Sequence, residues 1–66
     1  MQLTVNGKPS KVPAGTSLPA LVESLGLRVG SVVVEYNGTA LLRSELAGVE
    51  LHDGDRLELV RAVAGG

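Results

Sequence analysis

Two Asn-Gly dipeptides, Asn6-Gly7 and Asn37-Gly38, constrain this chain more than any other feature. A two-residue hairpin loop needs φ > 0 at both positions, and Asn followed by Gly tolerates that better than other pairs. Each dipeptide lies between runs with strand character, so each predicts a hairpin. Residues 1–5 alternate, with Met1, Leu3 and Val5 on one face and Gln2 and Thr4 on the other. Residues 8–12 return, and Pro9 places that strand at a sheet edge because it has no N–H to give to a second neighbour. Residues 31–36 contain Val32, Val33 and Val34 in succession, a β-branched run suited to an inner strand covered on at least one face. Residues 39–43 form a short returning strand.

The segment between the hairpins has the other periodicity. Leu18, Leu21, Val22 and Leu25 recur at i, i+3, i+4 and i+7, one apolar stripe of a helix. Ser17 precedes it as an N-cap, Pro19 falls in the first turn where a missing N–H costs nothing, and Gly26 suits the left-handed residue that closes it. About two turns of helix cannot persist alone, so this one must lie on the sheet. Residues 27–30 are a connector. Residues 44–51 read as irregular, with one helical turn at most. Asp53-Gly54-Asp55 is a turn. Residues 56–61 alternate again, Leu57 and Leu59 against Glu58 and Val60, and form the last strand. A helix crossing between two hairpins makes the sheet mixed, with the first and last strands side by side at its centre. The expected fold is α+β: a ubiquitin-like β-grasp domain over residues 1–61, about five strands with one short helix packed across one face, then a Gly-Gly tail over residues 62–66. The uncovered face would serve for docking; alternation alone leaves open which side chains gather there.

Size and composition narrow the function classes. A chain of 66 residues with one Tyr and no Phe, Trp or Cys must build its core from Leu and Val. It has no room for a deep catalytic cleft and offers no thiol nucleophile, so an enzyme is not expected. The six basic residues are scattered in the sequence and the net charge is -1, which argues against a nucleic-acid surface. No apolar run approaches the ~20 residues of a membrane span, and no basic-then-apolar leader opens the chain, so a cytoplasmic protein is expected. There is no glycine-rich phosphate loop, and His52 beside Asp53 and Asp55 reads as a turn rather than a metal cluster, so no bound cofactor or metal is expected.

What remains is the tail, Ala62-Val63-Ala64-Gly65-Gly66. Two glycines without Cβ make the narrowest peptide a protein can present, able to thread a slot that any side chain would block. On the dipeptide alone, a frayed terminus is the better account. The rest of the chain decides between the two. Val5-Asn6-Gly7-Lys8, Ala14-Gly15-Thr16-Ser17-Leu18, Leu21-Val22-Glu23-Ser24-Leu25-Gly26, Val34-Glu35-Tyr36-Asn37-Gly38 and Asp53-Gly54-Asp55-Arg56-Leu57-Glu58-Leu59, with the closing Gly-Gly, resemble as a set the ThiS family. That family comprises the ubiquitin-like sulfur carriers of thiamine thiazole biosynthesis, and the resemblance covers the whole chain.

The resemblance implies a carrier acted on by partner enzymes. A ThiF-type adenylyltransferase, using ATP and magnesium, adenylates Gly66. A persulfide donor converts the adenylate to a thiocarboxylate, and a ThiG-type thiazole synthase takes the sulfur. Gly66 is then the modified residue, Gly65, Ala64, Val63 and Ala62 the tail read by the partner's channel, and Arg61 a candidate contact to an acidic rim on the activating enzyme. Three alternatives stay open at this level. The same chemistry serves molybdopterin (the MoaD type), cysteine synthesis or tRNA thiolation. The tail of a protein modifier would join lysines through an isopeptide bond. The tail of a passive ubiquitin-like module would do nothing.

Overall fold

The computed structural model describes residues 1–61. Five strands, β1 (Gln2–Val5), β2 (Lys8–Lys11), β3 (Val32–Tyr36), β4 (Thr39–Leu41) and β5 (Arg56–Arg61), form one sheet in the order β2-β1-β5-β3-β4. β1 and β5 are parallel at the centre, and all other neighbours are antiparallel. The one α-helix among the described residues, α1 (Leu18–Ser24), lies across one face. Short 3₁₀ turns at Val29–Ser31 and Arg43–Gly48 complete the chain path. This is the mixed β-grasp sheet expected from the two hairpins and the crossover between them.

Local chemistry explains each element. Asn6 and Gly7 adopt φ of 51° and 79°, and Asn37 and Gly38 adopt 50° and 87°, so both hairpin loops have the two positive φ values of type I′ turns. Pro9 lies on β2, an edge strand. The Ser17 hydroxyl accepts the Ala20 N–H at 3.1 Å and caps α1. At the other end the Gly26 N–H reaches Glu23 O at 2.9 Å and the Leu27 N–H reaches Val22 O at 3.3 Å, a Schellman closure around a left-handed Gly26.

The core is aliphatic: Leu3, Val5, Val34, Leu57 and Leu59 from the sheet, Leu18, Leu21 and Val22 from α1, and Leu46 and Leu51 from the segment before β5. Three expectations need correction. Leu25 is not part of the buried stripe; α1 ends at Ser24, so Leu25 turns away with the cap and is 49% exposed. β4 stops at Leu41, two residues short of the expected end, because Leu42 and Arg43 enter the second 3₁₀ turn. Residues 44–51 are more ordered than expected. The Glu45 carboxylate accepts the Leu42 N–H at 2.6 Å, which holds the turn and drives Leu46 into the core.

Candidate functional site

β5 is the element that carries the chain toward the expected tail, and it is held from both sides. Its register against β3 pairs Val32 with Arg61, Val33 with Val60 and Glu35 with Glu58. On the β1 side, the Thr4 N–H donates to Asp55 O and the Asn6 N–H to Leu57 O, both at 2.9 Å. The β1 backbone then turns away, and the Asn6 side chain replaces it: its Oδ1 accepts the Leu59 N–H at 2.7 Å. The second Asn-Gly turn does the same at the strand's other end, where Asn37 Oδ1 accepts the Arg56 N–H at 2.8 Å. Both hairpin asparagines thus serve a strand far from them in sequence.

The turn before β5 is a hub. Asp53 Oδ1 accepts the Gln2 N–H at 2.6 Å, and the Gly54 N–H donates to Gln2 O at 2.7 Å. Asp55 accepts from the Tyr36 hydroxyl and the His52 N–H, each at 2.7 Å, and from the Asn37 amide at 3.2 Å. Burial pushes the Asp55 carboxyl up. The donors from His52, Tyr36 and Asn37 together outweigh burial and hold it below the usual aspartate range. The hydrogen bond to Asp55, aided by burial, pushes the Tyr36 hydroxyl up. His52 is exposed and lies 3.5 Å from Glu50. Among the described residues no group of three or more His, Cys, Asp or Glu side chains is placed to hold a metal. Asp53 and Asp55 organise the turn, as the sequence reading has it.

The register settles what lies on the open face. Val33 and Val60 are cross-strand partners there, 47% and 60% exposed. Leu42, extended and directly after β4, carries the alternation of that strand onto the same face and is 69% exposed. These three side chains form an apolar patch at the Arg61 end of the sheet. Toward the other end the face is polar, with Arg56, Glu58 and Glu35. Sequence reasoning did not name the patch. Its one signal was Val60, the apolar residue on the polar side of the alternation Arg56, Glu58, Val60.

Of the predicted site residues, Arg61 is described: it ends β5 and is exposed. Ala62, Val63, Ala64, Gly65 and Gly66 lie outside the described residues.

Comparison with known proteins now bears on this geometry. A model of the ThiS family matches residues 3–66. The chain belongs to the ThiS family. Solved ThiS relatives have the same architecture. A crystal structure of the thiamine biosynthesis protein ThiS from Geobacter metallireducens matches with a TM-score of 0.82 and 36% identity, covering 100% of both chains. A solution NMR structure of a thiamine biosynthesis protein from the same organism matches at 0.78 and 36%, covering 100% of this chain and 88% of that one. Two thiazole synthases, from Magnetococcus marinus and Paramagnetospirillum magneticum, are 35% and 36% identical over all 66 residues. The chain spans 20% of the length of each of these curated relatives, so its likeness is to one ThiS-like part of a larger protein.

Proposed function

We propose that this ThiS-family chain is a sulfur carrier in thiamine biosynthesis, with Gly66 as the residue that bears the sulfur. The observation that carries the reading is the family match over residues 3–66, which runs through Gly65 and Gly66. The whole-length likeness to thiamine biosynthesis proteins supports the pathway, and the ThiS-like part within two thiazole synthases supports a thiazole synthase as the acceptor.

The chemistry follows from what a carboxylate lacks. It is a poor acyl donor because it cannot expel an oxide. In the proposed cycle a ThiF-type adenylyltransferase supplies ATP and magnesium. A Gly66 carboxylate oxygen attacks the α-phosphorus, and pyrophosphate leaves. The outer sulfur of a persulfide donor then attacks the acyl carbon and expels AMP. A thiol cleaves the resulting S–S bond, giving a disulfide and the Gly66 thiocarboxylate. Thiazole synthase takes the sulfur and a carboxylate returns. Residues 62–66 supply reach, since five extended residues span roughly 16–18 Å. Residues 1–61 supply a rigid head that two partners recognise in turn. On this reading the chain is a substrate of its partners, neither an enzyme nor the holder of a cofactor.

The test is intact mass before and after incubation with a ThiF-type enzyme, ATP, magnesium and a persulfide donor. Replacing one oxygen by sulfur adds about 16 Da, the same as oxidation of Met1, so fragmentation must place the change on Gly66. An ATP-dependent gain at Gly66 is the expected result. An unmodified Gly66 in the presence of enzymes shown active on another carrier overturns the proposal.

A further inference from the structure

The sheet has two free edges among the described residues, and the chain protects them differently. On β2 the pair that closes the hairpin is Val5 with Lys8. Bonded and non-bonded pairs alternate from there, so Pro9 and Lys11 face outward. Pro9 has no N–H to offer a further strand, and Lys8 and Lys11 carry charge, which blunts that edge twice over. On β4 the closing pair is Tyr36 with Thr39 and the next bonded pair is Val34 with Leu41, so Ala40 directs its N–H and C=O to the free edge. The Asn37 N–H, which donates to Arg56 O on the β5 side at 2.8 Å, fits that alternation. Thr39, Ala40, Leu41 and the Leu42 that follows them include neither a charge nor a proline.

Leu42 is the next residue whose backbone would face outward. It is extended, with φ -73° and ψ 153°, so it continues the row that Ala40 begins. Glu45 takes both of its backbone groups. The Glu45 carboxylate accepts the Leu42 N–H at 2.6 Å, and the Glu45 N–H donates to Leu42 O at 2.9 Å. These bonds cap a 3₁₀ turn, but the residue they cap is also the continuation of an edge strand. A short edge strand is a weak template for pairing. With Leu42 occupied, β4 has Ala40 alone to offer.

We propose that Glu45 closes this edge against a second copy of the chain. Two β4 strands set antiparallel about a two-fold axis at Leu41 would pair Ala40 of one copy with Leu42 of the other. Every bond of that pairing uses the N–H or C=O of a Leu42, and the N–H has a single proton to give. Moving the axis to Ala40 leaves only the bonds between the two Ala40 residues while Glu45 holds Leu42. The side chains favour the pairing once the edge opens. Ala40 and Leu42 both lie on the open face, and Leu42 is 69% exposed, so each Leu42 would come to lie beside Ala40 of the other copy. Glu45 guards the edge in this way whatever residues 62–66 carry.

The test is self-association of the full chain by sedimentation equilibrium over about a 100-fold range of concentration, with circular dichroism to check each fold. Wild type should stay monomeric. Glu45→Ala loses an exposed bond and keeps the fold, and its mean mass should rise with concentration toward twice that of one chain. Glu45→Gln keeps an oxygen that accepts the Leu42 N–H and should stay monomeric, which separates the bond from the charge. Adding Ala40→Pro to Glu45→Ala removes an outward N–H without touching the β3 ladder and should restore the monomer. Leu46→Ala loosens the core without opening the edge and should not associate. Hydrogen exchange reads the wild type directly: the Leu42 amide should exchange about 10-fold or more slower than the Ala40 amide. A monomeric Glu45→Ala overturns the proposal, as does equal association by Glu45→Gln or Leu46→Ala, association that survives Ala40→Pro, or a wild type that associates. Equal exchange at Ala40 and Leu42 overturns it whether or not the variants fold.

Discussion

Asn6 offers the sharpest test of how the sheet is held together. Replacing it by Gly keeps the φ of 51° accessible and removes the amide that accepts the Leu59 N–H at 2.7 Å. Two backbone effects oppose each other: Gly relieves about 1 kcal/mol of left-handed strain and adds a similar entropy to the unfolded chain. What remains is a donor at a residue only 7% exposed that loses its acceptor, a cost of about 1–3 kcal/mol. Asn37→Gly is the internal control. Its bonds to the Arg56 N–H at 2.8 Å and to the Asp55 carboxylate at 3.2 Å are both exposed, so water replaces the amide in each and the expected cost is about 0.5–1 kcal/mol. A domain of 66 residues has roughly 3–10 kcal/mol in total, so the difference is measurable. At about 4–8 °C per kcal/mol, Asn6→Gly should lower Tm by roughly 5–20 °C. Urea and thermal melts followed by far-ultraviolet circular dichroism suit a chain with one Tyr and no Trp. Amide exchange adds a local reading: the Leu59 amide should lose more protection than the global change accounts for. An Asn6→Gly variant within about 0.5 kcal/mol of wild type, or an Asn37→Gly variant equally damaged, would refute the reasoning.

Three further outcomes are expected. Leu46→Ala, at a side chain 2% exposed on a 3₁₀ turn, should cost about 2–5 kcal/mol by chemical denaturation, a large share of the whole. Asp55 has a lowered carboxyl pKa in the folded state, so its contribution is fully present above the unfolded value near 3.9 and is lost as pH falls through the folded one; melts should lose stability below about pH 4, and Asp55→Asn should flatten that loss. Deleting Gly65 and Gly66 should leave Tm within about 2 °C of wild type while abolishing sulfur acceptance in the mass assay, whereas a fall in Tm would show that the dipeptide helps hold the fold.

Much of the fold was legible because its punctuation is local. Asn-Gly and Gly26 act through their own backbone, and Ser17 and Asp55 through side-chain bonds to backbone three residues away, so their spacing fixes two hairpins, a helix and a final turn. Leu25 misled because the stripe pattern runs on past Ser24, where α1 ends and Leu25 is already its cap. The side chains of Asn6 and Asn37 do their second task across 53 and 19 residues of sequence, and no local signal announces that. The same holds for the candidate site. Gly65 and Gly66 are visible as a motif, but Val33 meets Val60 only through strand register.

The parallel pairing of β1 and β5 also has a mechanical meaning. On the sulfur-carrier reading, a partner that grips the chain beyond Arg61 would pull along β5 while the head resists through β1. Because the ladder bonds lie across the strands, such a pull slides β5 past β1. The bonds at Thr4, Asn6 and Leu59 are then loaded together and must fail together, whereas a load across the ladder would open them one at a time. A load on the end of β5 therefore meets the ladder in the direction in which its bonds share the force.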